Sequence, residues 1–270
     1  MTQLHRDLIA DTLLWHVNIC IADEAIHVLF TGPESVEQSV MFHTIDLKPG
    51  LASHLAAVEE AVYDNQLLLA DFASVRVMVD TSNFVLVPSA LTPLASEIVD
   101  SMIPDLEDSA TTLLSAMTAD TSQLLAMAIS SDLYNFINRT WANPLIDHPL
   151  AVTARYLQLI PTHGAGSALY GVLSSGRMMA VRYRRDGELD FANRFAISAA
   201  ADAAYYLLSL SPNVETLVVG GESDLRNDAS ALLRPRLEAP VLPITLSPEL
   251  LQLRRMAPTA PLYLLFSTRL

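Results

Sequence analysis

Residues 168–221 read ALYGVLSSGRMMAVRYRRDGELDFANRFAISAAADAAYYLLSLSPNVETLVVGG, and this stretch decides the fold. Ala168 to Ser174 and Met178 to Arg184 are strand-length runs flanking Ser175-Gly176-Arg177, a hairpin whose glycine can take the positive backbone angle such turns need. Arg185-Asp186-Gly187-Glu188 makes a second turn, and Leu189 to Ile197 is a third strand. Ser198 is placed to cap a helix that carries Ala203, Tyr206, Leu207 and Leu210 at helical spacing and ends at Pro212-Asn213. Thr216 to Val219 then enters Gly220-Gly221 as a buried strand. The order is a three-stranded meander, a helix and a strand.

The N-terminal part follows the same plan. Leu13 to Ile21 alternates Trp15, Val17 and Ile19 with His16, Asn18 and Cys20, a period of two that gives a strand two chemically different faces. After a turn at Asp23-Glu24, Ala25 to Thr31 and Val36 to Asp46 complete a meander. Pro49 to Asn65 places Leu51, Leu55, Val58 and Val62 on one helical face, with Pro49 in the first turn. Val75 to Val79 and Phe84 to Val87 are strands joined by the compact turn Asp80-Thr81-Ser82-Asn83.

A short helix follows Pro88, and Pro104 to Asp108 reads as an exposed acidic loop. Gln123 to Ile129 has the apolar density of a strand covered on both faces. Asp132 is placed to cap a helix bearing Leu133, Phe136 and Ile137, which stops at Trp141-Ala142-Asn143-Pro144. A second helix, His148 to Ile160, leads to residues 161–166, the most flexible composition in the chain. This places one half over 1–147 and the other over 148–270, with the boundary inside 142–167. The second half closes with a helix over Arg226 to Leu237, a strand over Val241 to Leu246, a helix over Pro248 to Met256 and a strand over Leu262 to Ser267. Three antiparallel strands, helix, strand, helix, strand, written twice, is an α/β plan of two ribonuclease-H-like halves.

Within that plan, Gly187-Glu188-Leu189-Asp190-Phe191-Ala192-Asn193-Arg194-Phe195, followed by Asp202 and the pair Tyr205-Tyr206, resembles a bacterial family of uncharacterised proteins with an actin-like ATPase fold. Its members carry a similar Leu-x-x-Ala-Asn-x-Phe element, an acidic residue and a Tyr-Tyr pair on a helix. Phe84-Val85-Leu86-Val87-Pro88 is similar to the family's strand end, and His148-Pro149 to a third landmark. The resemblance spans nearly the whole chain. It implies mixed sheets in two pseudo-symmetric lobes and no assigned activity. The same residues also read as packing: Phe191, Phe195 and Tyr206 as core, and Asn193 as a side chain tied to the backbone.

Composition removes several functions. With 270 residues and 51% hydrophobic content the chain can bury a large core, and no apolar run is long enough to span a bilayer. Met1 to Asp11 lacks the pattern of a secretory signal, so the expected address is the cytoplasm. Cys20 is the single cysteine and reads as a small buried apolar residue. A net charge of -14 argues against nucleic acid. Lys48 is the only lysine and sits in a turn, so no Walker-type loop exists. His16, His27 and His43 fall on successive strands without tight ligand spacing, and no metal site is expected.

An actin-like fold implies nucleotide held between lobes, with hairpin turns of both halves on the phosphates and a glycine pair beneath the adenosine. The first hairpin, Ile21-Ala22-Asp23-Glu24-Ala25, lacks glycine and carries two carboxylates that repel a phosphate. The second keeps Ser175 and Gly176 beside the Arg177 guanidinium, a set able to hold an anion. Val218-Val219-Gly220-Gly221-Glu222-Ser223 resembles the adenosine-side motif. Arg177, Arg182, Arg184 and Arg185 form one basic cluster, expected to pair with neighbouring carboxylates. The expectation is a non-catalytic interaction or scaffold protein with a protein partner, no catalytic residues and a vestigial cleft at Ser175, Gly176, Gly220 and Gly221. The alternative is an ATP-binding protein or weak ATPase that uses those residues with Mg²⁺.

Overall fold

The computed structural model describes residues 4–33, 39–103, 110–160 and 166–270. The expected acidic loop at 104–108, the start of the strand expected over 36–46, and residues 161–165 lie outside them.

The first sheet contains β1 (His16–Ile21), β2 (Ala25–Thr31), β3 (Val40–Asp46), β4 (Ser74–Val79) and β8 (Leu145–Asp147), in the order β3-β2-β1-β4-β8. The sheet of the second half contains β9 (Ala168–Ser174), β10 (Arg177–Tyr183), β11 (Leu189–Ala196), β12 (Thr216–Gly221) and β13 (Val241–Pro243), in the order β11-β10-β9-β12-β13. The two orders are the same: an antiparallel meander extended by two parallel strands. The duplicated plan read from the sequence is the observed architecture, α/β with two sheet-rich halves.

Between β4 and β8 the first half carries an addition. β5 (Phe84–Pro88), β6 (Ala110–Ala116) and β7 (Gln123–Ser130) make a small antiparallel sheet, β5-β7-β6, against helix α2 (Ala95–Met102). β4 and β5 therefore belong to different sheets, although only residues 80–83 separate them.

Strand alternation sorts the side chains into layers. Val17, Ile19 and Ile21 of β1 face helices α1 (His54–Asp64) and α3 (Ser131–Thr140), while Cys20 faces the opposite core. The two faces of β1 are thus both buried. In the second sheet Leu169, Met178, Ala180, Leu217 and Val219 face α5 (Ala200–Leu210) and α6 (Ser223–Leu233), whereas Tyr170, Val172, Met179, Val181 and Val218 turn inward.

The inward faces of both sheets share one core with helices α4 (Pro149–Leu159) and α8 (Leu262–Ser267). Tyr156 of α4 stacks on Phe266 of α8 at 4.1 Å and an interplanar angle of 10°. Every residue of α8 is buried, and the helix contacts β1 and β2 of the first half although it lies near the end of the second half in sequence. A buried aliphatic or aromatic side chain contributes about 1.5–3 kcal/mol, so this middle layer joins the halves over a continuous apolar surface.

Several boundaries differ from the sequence expectation. Leu262–Ser267 is a helix: a short run that is apolar on all sides suits either a buried strand or a buried helix, and two facing sheets here select the helix. Gly50 has φ +84°, which interrupts the helix expected from Pro49, so α1 starts after Ser53, whose Oγ accepts from Ala56 N. The cap of α3 is Ser130, with Asp132 in the first turn. The cap position of α5 is Ala199, and Ser198 instead donates its amide and hydroxyl to the Asp202 carboxylate. α6 begins at Ser223 and ends before Pro235, and β13 stops at Pro243. Helix α7 (Pro248–Met256) falls as expected.

Candidate functional site

The C-terminal ends of the central strands, where open α/β sheets form their sites, meet between the two halves. Gly221 of β12 pairs with Leu173 of β9, so Gly220 and Gly221 stand beside the hairpin turn of Ser175 and Gly176. The four residues read from the sequence as a vestigial cleft are therefore neighbours. Their glycines have different reasons. Gly176 has φ +75° with open space around it, a plain turn requirement. Gly221 has φ +115°, and a Cβ there would lie 1.8 Å from the Leu173 carbonyl oxygen; at Gly220 it would lie 2.3 Å from Ile244. Gly221 thus serves close packing of strand on strand, and Gly220 leaves room for the Ile244 side chain.

The Ser175 amide, the group a phosphate would need, already donates to Glu222 Oε1 at 2.6 Å. Glu222 directly follows the glycine pair. A carboxylate thus fills the anion position of this hairpin with a residue of the chain itself.

Across the boundary, the turn after β4 contributes Asp80, whose carboxylate is fully buried. Arg177, the first residue of β10, is ion-paired to Asp80, and Arg194 of β11 places Nε 3.1 Å from Asp80 Oδ1. The contact is one of charge, without the angles of hydrogen bonds. Arg194 Nη2 also lies 3.9 Å from Asp23 on the first hairpin. Burial and the neighbouring Arg177 lower the pKa of Arg194, which still leaves a guanidinium charged. Behind this cluster, burial pushes the Cys20 thiol up to about 11, with the Tyr263 hydroxyl of α8 hydrogen-bonded to it. Cys20 is a buried, unreactive group.

A hollow of about 360 Å³ adjoins the cluster, lined by Asp23, His54, Asp80, Thr81, Asn83 and Ser130 among others. Its carboxylates and the two arginines balance one another, so no cation is left over for a phosphate, and the one lysine is elsewhere: Lys48 pairs with Glu60 and Asp64 of α1. ATP with Mg²⁺ does not fit these residues. The phosphate side would need a free amide, and Ser175 N–H is taken; on the Mg²⁺ side Asp80 is bound by two arginines, and the exposed Asp23 is a single carboxylate facing Arg194.

The remaining cluster arginines are paired as well. Arg182 and Arg184 both reach Asp190, at 2.7 and 3.1 Å, and Arg185 meets Glu215. Among the described residues no three His, Cys, Asp or Glu side chains are grouped to hold a metal ion, and no helix is long and apolar enough to cross a membrane. His16 bonds Ser74 Oγ and His27 bonds Thr44 Oγ1, each within the first sheet.

The residues of the Leu-x-x-Ala-Asn-x-Phe element are structural in this setting. Asn193 Oδ1 accepts from Arg194 N, Phe195 stacks on Tyr206 at 4.5 Å, and Asp202 holds the start of α5. A family model for proteins of unknown function, DUF3822, matches residues 19–216, most of the chain. The chain belongs to the DUF3822 family.

Among solved structures, this DUF3822 chain is similar to a Bacteroides thetaiotaomicron protein with an actin-like ATPase fold and unknown function, at 13% identity and a TM-score of 0.75, over 95% of this chain and 96% of the other. It is also similar to a structure of the PilM–PilN type IV pilus biogenesis complex, at 12% identity and a TM-score of 0.57, over 95% and 97%. These likenesses establish the actin-like ATPase fold. No curated protein sequence matches it.

The sequence reading has Asp80 as a turn residue, Arg194 as a member of the family element and Glu222 as part of the motif after the glycine pair, and gives none of them the role the fold assigns. Asp80 was legible as a carboxylate at the C-terminal end of a buried strand, and Glu222 as the residue after the glycine pair. Arg194 gave no signal, because only the fold brings β11 to face the end of β4.

Proposed function

We propose that this DUF3822 protein is a non-catalytic interaction or scaffold protein, acting in the cytoplasm through a protein partner, whose nucleotide cleft is degenerate at Ser175, Gly176, Gly220 and Gly221. The observation that carries this reading is the Asp80–Arg177–Arg194 cluster: the ion pairs between the halves use the charges that a nucleotide cleft would direct at phosphate and metal. The Glu222 contact to the Ser175 amide supports it, as does the shared apolar layer of α4 and α8, which opposes the opening of one lobe against the other. The likeness to the PilM–PilN structure supports a protein partner by analogy of fold alone.

The rival reading is an ATP-binding protein or weak ATPase. It requires Glu222 to leave the Ser175 amide and Asp80 to release its arginines. Calorimetry with ATP and Mg²⁺, run beside a phosphate-release assay, separates the two. The expected result is no saturable heat and no turnover, in wild type and in Gly176→Asp alike. Gly176→Asp is the suitable control because its turn is open, so the added charge disturbs no packing. Saturable ATP binding with phosphate release in wild type, abolished in Gly176→Asp, puts the rival first.

A further inference from the structure

Where the first half meets α4, an open hollow of about 350 Å³ lies beside two edge strands. β6 ends the small sheet and β8 ends the first sheet, and both line the hollow. At its floor Asp147 Oδ2 pairs with Arg76 at 3.0 Å and with Arg155 of α4, while Oδ1 accepts from His148 N. Two guanidinium groups thus share one carboxylate, leaving a positive charge in a chain of net charge -14. Each guanidinium has five N–H donors. Arg76 uses one on Asp147, and Arg155 uses one on Asp147 and one on Ala116 O.

A second observation points the same way. Ser115 lines the hollow, is 4% exposed, and its Oγ has no hydrogen-bond partner among the described residues. A buried hydroxyl left unpaired costs free energy that a bound polar group recovers. Around this polar floor stand Leu114, Leu145, Leu159 and Leu270, 40%, 53%, 59% and 41% exposed. Leucines this exposed form a rim, and four around one hollow make a patch of the kind that marks an interaction surface.

From this we infer that the hollow between β6 and β8 docks an extended segment of a partner protein in which an Asp or Glu is flanked by large apolar residues. The acidic side chain meets Arg76, Arg155 and the Ser115 hydroxyl, its apolar neighbours cover the leucine rim, and its backbone lies beside the edge strand β8. The charge left over at the floor selects an acidic residue, and the terminal strand β8 beside it selects an extended polypeptide over an amphiphile. This names the surface for the proposed scaffold role and rests on that role only in requiring a protein partner.

Panning phage-displayed random peptides on the full-length protein tests it. The selected peptides should be enriched in Asp or Glu beside Leu, Ile or Phe. Their affinity, measured by fluorescence anisotropy, should fall about tenfold or more in Leu145→Asp and in Leu159→Asp, which alter exposed side chains and spare the fold. Ser115→Ala should weaken binding while its melting temperature holds or rises, since the hydroxyl it removes has no partner in the free protein. Peptides without acidic enrichment, or binding unchanged in all three variants, would overturn the inference. So would saturable binding of oleate in the hollow without any peptide enrichment. The ATP assays report on a separate region: ATP turnover with peptide docking intact removes the non-catalytic reading alone, and absent turnover with failed docking removes this inference alone.

Discussion

Arg194 Nε sits 3.1 Å from Asp80 Oδ1, so a strand of the second half supplies the counter-charge to a buried carboxylate of the first. Arg177 adds a second cation to the same group, and all three side chains are largely or wholly out of solvent. Removing one partner of such a cluster leaves an uncompensated charge in low dielectric, at a cost of about 3–5 kcal/mol. Asp80→Ala should therefore lower stability by that order, because it leaves two like charges facing each other. Urea unfolding measures it. A loss below about 1 kcal/mol would mean that water reaches the cluster and that the halves are not held together there.

The two turn glycines of the cleft should respond differently to the same change. Gly176→Ala costs about 1–2 kcal/mol for a left-handed conformation in open space. Gly221→Ala adds a Cβ against the backbone of Leu173, which no rotamer change relieves, so the end of β12 must separate from β9. Thermal melts of the two variants should show a modest shift for the first and loss of cooperative folding or expression for the second. Equal shifts would show that β12 ends before Gly221.

The duplicated meander was readable because each strand alternates cleanly and each turn carries its own chemistry, as in Ser175-Gly176 and Arg185-Asp186-Gly187. What escaped reading was set by distance in sequence. β8 has three residues and is a strand only because Arg76, Val77 and Met78 of β4 lie beside it. β6, Ala-Thr-Thr-Leu-Leu-Ser-Ala, has little alternation and takes its register from β7. The cleft was half legible. Its glycines show locally, whereas the partners that fill it, Asp80, Arg194 and Glu222, acquire their roles from tertiary contacts.

Phe195 tests the structural reading of the family element. It is half-buried, stacked between Tyr206 at 4.5 Å and Phe191 at 6.5 Å. The sequence reads it as a core or helix-packing residue. Partial exposure reduces the cost of Phe195→Ala from the full core value to about 2 kcal/mol. Phe195→Leu, which keeps apolar volume and loses stacking, should cost about 1 kcal/mol. A melting temperature unchanged in both variants would detach the element from packing and return it to candidate binding residues.

His148 gives the protein a defined acid sensitivity. Its ring is fully buried at the start of α4, where Nδ1 accepts from Leu150 N and Nε2 bonds the Thr81 carbonyl. This arrangement needs the neutral ring, and burial, with some repulsion from Arg194, lowers its pKa from 6.5 to about 4 against the opposing pull of Thr81 O and Asp147. The folded pKa lies below the unfolded one. Above about pH 6.5 both states are neutral and the histidine adds no pH dependence. Between 6.5 and 4 the unfolded chain takes up a proton that the folded chain refuses, so stability falls as pH falls, by about 3 kcal/mol over the whole interval. His27, also lowered to about 4 by burial first and by Arg177, acts in the same window and direction. Asp190 and Asp202, whose pKa values lie below the usual carboxylate value, lose their contribution only at more acid pH, so the upper part of the window belongs to the histidines. Urea unfolding at a series of pH values should show a positive slope of stability with pH beginning below about 6.5. His148→Asn, which can keep the cap but not reach Thr81 O, should be less stable at neutral pH and show a shallower slope. A slope unchanged in that variant would place the titrating proton elsewhere and show that His148 charges without disturbing the fold.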